Sequence, residues 1–98
     1  MTLQALITSI KEDKLDKFQM EHYHTELTYL YTDFCTRMAE LEKKEALYLN
    51  TSEEKTRAGA ERKWYALPEG QEMITLKHNL RATEKLLSSL KHRIYNTL

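Results

Sequence analysis

Apolar side chains recur at spacings of three and four residues along two long stretches of the chain. The first series is Met20, Tyr23, Leu27, Leu30 and Phe34, continued after an offset of four by Met38, Leu41, Glu45 and Tyr48. Such spacing is typical of a helix whose apolar stripe lies against another helix, and the offset locally relaxes the supercoil. This series predicts a long helix over residues 13–49.

The second series is the more regular one and predicts a helix over residues 69–97. Its members are Met73, Leu76, Leu80, Thr83, Leu87, Leu90, Ile94 and Thr97. Two long helices with complementary stripes predict an all-α fold, a long helical hairpin with coiled-coil-like packing. Ile74, Leu86 and Tyr95 widen the second stripe, so we expect an oligomer with its interface at Leu76, Leu80, Leu87, Leu90 and Ile94.

Two shorter helices complete the prediction of one helical domain over residues 1–98. Thr2 can cap a helix over residues 1–12 that is too short to be stable alone and should dock on the hairpin or on a neighbouring subunit. Thr51 and Glu54 form a possible capping box for a helix over residues 52–67. Pro68 then either kinks the chain or breaks the helix briefly.

The charges cancel overall but are unevenly distributed. The chain carries 15 basic and 15 acidic side chains, with a net charge of −3 over residues 1–50 and +3 over residues 51–98. The two arms should therefore attract each other, and the C-terminal surface should be locally basic. Because there is one cysteine and no long apolar segment, we expect a cytoplasmic protein without membrane contact, in the host cytoplasm if it is phage-encoded.

The residue types that support catalysis or metal binding do not form a convincing site. His22 and His24 point to different sides of a helix, and His22 with Glu26 supplies only two of the three or four ligands that zinc needs. Cys35 lacks an activating partner in the sequence and is predicted to be buried. We therefore expect no enzyme activity, cofactor or metal.

Basic residues beside aromatic ones are the most informative functional feature. Lys77, Arg81 and Lys85 form a stripe at four-residue spacing. A second group lies at Lys55, Arg57, Arg62, Lys63 and Trp64. Cations for phosphates and rings for base stacking are what single-stranded nucleic acid requires. The alternative is that the charges only keep a coiled coil soluble and that Trp64 is a core anchor.

The order of these features resembles the UvsY-type recombination mediators of tailed phages. The matching stretches are LDKFQ at 15–19, Lys55-Thr56-Arg57, and LLSSLKHRIY at 86–95. The resemblance covers most of the chain as architecture. It implies a ring-like homo-oligomer that binds single-stranded DNA and assists a recombinase, with phosphate contacts from Lys55 and Arg57. Arg62, Lys63, Lys91 and Arg93 would assist them.

Two functions follow as hypotheses. The first is a non-enzymatic DNA recombination or repair accessory protein that binds single-stranded DNA as an oligomer. The second is an adaptor, chaperone or inhibitor that binds another protein through a second apolar face, which would include Tyr29 or Leu86.

Overall fold

A computed structural model describes residues 2–11 and 14–96, and all regular structure in these ranges is helical. The helices are α1 (Leu3–Ile10), α2 (Lys17–Thr51), α3 (Arg57–Ala66) and α4 (Pro68–Asn96). The predicted helix end at Glu12, the predicted start of the long helix at Asp13 and the last apolar position, Thr97, lie outside the described residues. The all-α prediction is confirmed.

Helices α2 and α4 run antiparallel along most of the length of the molecule, which measures 58 × 20 × 18 Å. Two contacts fix their register: Tyr31 donates a hydrogen bond to Glu84 at 3.0 Å, and Arg37 donates two to Glu72 at 2.6 and 2.8 Å. Residues of both predicted stripes lie inward. Those that are buried are Met20, Leu27, Met38, Leu41, Met73, Leu76, Thr83 and Leu90.

The short helices cover opposite ends of this hairpin and so divide the core into two clusters. Leu6 and Ile10 of α1 pack with Met20, Leu27 and Leu90, and we call this group the α1 cluster. At the other end the α3 residue Trp64 joins a second group, the α3 cluster, whose other buried members are Met38, Leu41, Met73 and Leu76. Each cluster needs its short helix as a third wall, since two helices alone leave one side of their shared stripe in water.

Local capping chemistry sets where the helices begin. Thr2 caps α1 as predicted, accepting a hydrogen bond from the Ala5 amide at 3.2 Å. Asp16 and Gln19 form a reciprocal capping box, so α2 begins at Lys17 and residues 14–16 are not helical. The predicted cap at Thr51 is wrong: Thr51 is the last residue of α2, and its hydroxyl donates to the Leu47 carbonyl at 2.8 Å.

Thr56 caps α3 instead, accepting from the Gly59 amide at 3.1 Å. The helix therefore begins at Arg57, and the chain between Ser52 and Thr56 forms a connection. The uncertainty at Pro68 resolves as a short break. Leu67 is extended, with ψ of 156°, and Pro68 is the first residue of α4, where its missing N–H costs nothing.

The residues expected to form an oligomer interface are used inside the chain. Leu76 and Leu90 belong to the two buried clusters. Leu80 packs against the α3 cluster, while Leu87 and Ile94 pack against the α1 cluster. Leu86, expected on a second apolar face, is also half-buried in the α1 cluster. Leu76 and Leu90 are therefore covered within the chain, whereas Leu80, Leu87 and Ile94 are half-buried and an oligomer interface there stays a prediction.

Candidate nucleic-acid interface

Two of the four cations of the predicted basic group, which lies in α3 and the connection before it, form local ion pairs. Arg57 contacts Glu61 at 3.1 Å, and Lys63 contacts Glu54, which raises the pKa of the Lys63 amine through a charged hydrogen bond. Lys55 is exposed in the connection before α3. Residues 51–67 hold four basic against three acidic side chains, so this region offers little net positive charge to a phosphate chain.

Trp64 does not offer its ring to a nucleic-acid base. The side chain is only 3% exposed, and its indole N–H donates to the sulfur of Met73 at 3.2 Å. The Tyr48 ring lies tilted against it, with the ring centres 5.5 Å apart. The prediction of Trp64 as a stacking residue is therefore wrong, and the alternative prediction of a core anchor is confirmed.

The two predicted residues near the end of α4 have different surroundings. Arg93 is half-buried and donates to the Ile10 carbonyl at 3.2 Å, at the last residue of α1. A cation there satisfies an otherwise unpaired helix-end carbonyl, so Arg93 has a structural role in holding α1. Lys91, in contrast, is exposed. Lys91 is thus available to a ligand without any change in the packing of the helices.

The outward side of α4 carries the strongest concentration of positive charge. Lys77, Arg81 and Lys85 are all exposed. Steps of four residues advance each side chain by about 6 Å along the axis and about 40° around it, so the three form a gently winding row. Residues 73–96 hold five basic side chains and one acidic one, Glu84. We call Lys77, Arg81 and Lys85 the α4 basic face; Lys91 is exposed on the same helix but lies off this row, in a groove with Glu21 and Thr25 of α2.

The hairpin does not use these cations to hold its arms together. The ion pair between Arg37 and Glu72 joins a base of α2 to an acid of α4, the opposite sense to that expected from the net charges of the two halves. This pair lowers the pKa of the Glu72 carboxyl, chiefly through the hydrogen bond from Arg37. The Glu84 carboxylate accepts a hydrogen bond from the Tyr31 hydroxyl, and this bond raises the pKa of that hydroxyl. Packing of the apolar stripes, not charge, sets which sides meet, and it turns the α4 cations outward.

Aromatic rings lie beside cations near both ends of α4. The Lys77 amine lies over the Tyr65 ring, 5.8 Å from its centre, and Tyr65 shares a shallow groove with Arg62. Tyr95, one turn beyond Lys91, is 68% exposed. Tyr95 was not among the predicted contact residues. Its signal in the sequence was the four-residue spacing from Lys91, which places a ring beside a cation on the same side of a helix.

Metal and thiol chemistry find no support in the arrangement of the described side chains. Within residues 2–11 and 14–96, no three His, Cys, Asp or Glu side chains lie close enough together to hold a metal ion. Cys35 is exposed, so the prediction of a buried cysteine is wrong. It lies on the flank of α2, between the inward stripe and the outward side, where the heptad pattern alone does not decide burial.

No described helix of the protein is both long enough and apolar enough to cross a membrane. No protein-family model matches the chain, and neither a curated protein nor a solved structure does.

Proposed function

We propose that this protein is a non-enzymatic accessory protein that binds the phosphate backbone of single-stranded DNA on the α4 basic face. The observation that supports this proposal most directly is the exposure of Lys77, Arg81 and Lys85 in one row. Among the residues that the structure describes, none of these three forms an ion pair with a carboxylate. Their charge is thus available to an external anion.

The shape of the row favours a chain of phosphates over a single small anion. The cations follow the helix axis in steps of about 6 Å, so their charge is spread along a line. Each phosphate that they neutralise releases counterions, which supplies sequence-independent affinity. Tyr95 adds an exposed ring for base stacking, in the role first expected for Trp64.

The proposal is tested by titrating labelled single-stranded DNA with the protein at several salt concentrations. Three phosphate contacts should give a slope of about −2 for the logarithm of the binding constant against that of salt. In the variant Lys77→Ala/Arg81→Ala/Lys85→Ala we expect most of the affinity and most of the slope to be lost. Helix content by circular dichroism should not change, because these side chains are exposed.

Lys55→Ala/Arg57→Ala is the control, since it removes positive charge around the start of α3 and leaves α4 intact. We expect this variant to bind nearly as well as the unmodified protein. Loss of binding in this variant alone would move the site to the region that the resemblance to UvsY-type mediators indicates. Absence of binding at low salt would remove the nucleic-acid proposal altogether.

Assistance to a recombinase, as that resemblance implies, requires that bound DNA stays accessible. A strand on the α4 basic face would lie along the outside of the hairpin, with its bases toward solvent except where Tyr95 stacks. The alternative function, an adaptor for another protein, is favoured by a different observation: large apolar side chains are exposed on α2. These residues lie on α2, whereas the row of Lys77, Arg81 and Lys85 lies on α4.

A further inference from the structure

Helix α2 exposes three large apolar side chains in one line on the side that faces away from α4. Phe18, Tyr29 and Leu47 are 80%, 65% and 66% exposed. Their separations of 11 and 18 residues correspond to about three and five whole helical turns, so they project in nearly the same direction. The buried Leu27 projects almost oppositely, which separates this line from the core of the chain.

The threonines between these residues lower the free-energy cost of covering this side of α2 with a partner. The hydroxyls of Thr25, Thr32 and Thr36 donate to the carbonyls of Glu21, Thr28 and Thr32 at 3.0–3.1 Å. Because each hydroxyl donor already has an acceptor one turn back, a partner can cover the methyl groups without leaving a donor unsatisfied. The threonine methyl groups therefore fill the gaps between the three large residues and make the apolar surface more continuous.

Few charges interrupt this side, which we call the α2 stripe. Its members are Phe18, His22, Thr25, Tyr29, Thr32, Asp33, Thr36, Glu40, Lys43 and Leu47. The charge of Glu40 is balanced by Arg37 at 3.0 Å. Asp33 and Lys43 are exposed. Such a stripe suits another helix of similar length better than a small ligand.

We propose that the α2 stripe pairs with the same stripe of a second copy of this chain, in antiparallel orientation about a two-fold axis near Thr32 and Asp33. In this register Phe18 lies opposite Leu47 of the second copy. The same axis places Tyr29 opposite Thr36, because the two pairs share one midpoint in the sequence. A self-complementary patch of this kind is what a two-fold dimer requires.

Charge decides between the antiparallel and parallel orientations. With parallel helices each residue meets its own copy, so Glu21, Asp33, Glu40 and Lys43 would all face like charges. In the antiparallel register Glu21 lies beside Lys43 of the second copy, one residue from its level, and Glu40 faces the neutral Thr25. Only Asp33 remains close to its own copy, near the axis.

The pairing leaves both α4 basic faces on the outside, so it goes beyond the DNA proposal and does not depend on it.

Disulfide cross-linking tests the register directly. In a Cys35→Ser background, the double variant Phe18→Cys/Leu47→Cys should form covalent dimers on mild oxidation. The two positions lie about 43 Å apart along α2, far beyond the reach of a disulfide within one chain. The single variants Phe18→Cys and Leu47→Cys are the controls, since neither position meets its own copy in this register. Cross-linking of either single variant as efficiently as the double one would overturn the antiparallel arrangement.

Solution mass of the unmodified chain provides a second readout that does not rely on cysteine variants. Light scattering across a concentration series should show a monomer–dimer equilibrium. Tyr29→Ala should raise the dimer dissociation constant roughly tenfold or more, because it removes a central aromatic from each copy. Ile74→Ala, which removes an exposed apolar side chain from α4, should leave the constant unchanged. A monomer at all concentrations, or equal effects of the two substitutions, would overturn the proposal, including the case in which a different protein covers the stripe.

Discussion

Gly70 lies in the first turn of α4, where that helix passes closest to the end of α3. The residue is buried, and a β-carbon built on it would lie 2.6 Å from the Tyr65 α-carbon and 2.7 Å from the Trp64 carbonyl carbon. These atoms are backbone, so no side-chain rotation relieves the contact. Substitution by alanine must therefore push α3 away from α4, although glycine has no positive φ here.

The size of the effect follows from two opposing contributions. Alanine gains up to about 1 kcal/mol over glycine in helix propensity. Forcing an extra carbon into a close-packed site typically costs about 1–3 kcal/mol, and a clash with backbone belongs at the upper end. We expect Gly70→Ala to lower the free energy of unfolding by about 1–2 kcal/mol, equivalent to a fall in Tm of roughly 5–15 °C for a domain of this size.

Urea and thermal unfolding followed by circular dichroism provide the measurement, with Gly59→Ala as the control. A β-carbon at Gly59 meets only the side-chain oxygens of Glu54 and Thr56, each at 3.1 Å. Those side chains can shift slightly, so we expect this variant to lie within about 1 kcal/mol of the unmodified protein or to be more stable. If Gly70→Ala were at least as stable as Gly59→Ala, the close approach of α3 and α4 would be refuted. The contact between the Lys77 amine and the Tyr65 ring, which depends on that approach, would be refuted with it.

Two further predictions concern Glu72 and Trp64. The folded pKa of Glu72 is lowered by Arg37, so the pair stabilises the protein above the ordinary glutamate pKa of about 4.3 and loses its effect as the pH falls through the lower folded value. Glu72→Gln should accordingly be less stable at pH 7 but not in strong acid, as measured by urea midpoints, whereas a constant difference at both pH values would contradict the assignment. Trp64→Ala should lose about 3–5 kcal/mol of stability by emptying the α3 cluster. In the unmodified protein, Trp64 emission should be blue-shifted and unaffected by DNA, and strong quenching by DNA would instead mean that the ring is accessible.

The sequence alone was sufficient for the class of fold and for the inward residues of the two long helices. A three–four spacing that persists over many turns forces one side of each helix out of water, whatever the partner. The inward positions of Leu27, Leu41, Met73 and Leu90 follow from that spacing. The cap at Thr2 was equally local, since it involves only the next three residues.

Capping between the two long helices was less predictable because the sequence offers competing acceptors. Thr51 and Thr56 are both followed at short range by suitable amides, and only the length of α2 that can pack against α4 decides between them. Packing extends α2 through Thr51 and leaves Thr56 as the cap. Lys55 consequently falls in the connection and Arg57 at the first residue of α3, so the two predicted DNA contacts no longer lie on one helix.

Tertiary structure alone decided which apolar and basic residues remain available to a partner. Periodicity shows that a stripe must be covered, but it does not show whether α1, α3 or a second chain covers it. Leu76 and Leu90 are covered within the chain, Trp64 is part of the core, and the exposed aromatic residues are Phe18, Tyr29 and Tyr95. Burial depends on contacts between residues far apart in the chain, and those contacts also turned the charges of α4 outward.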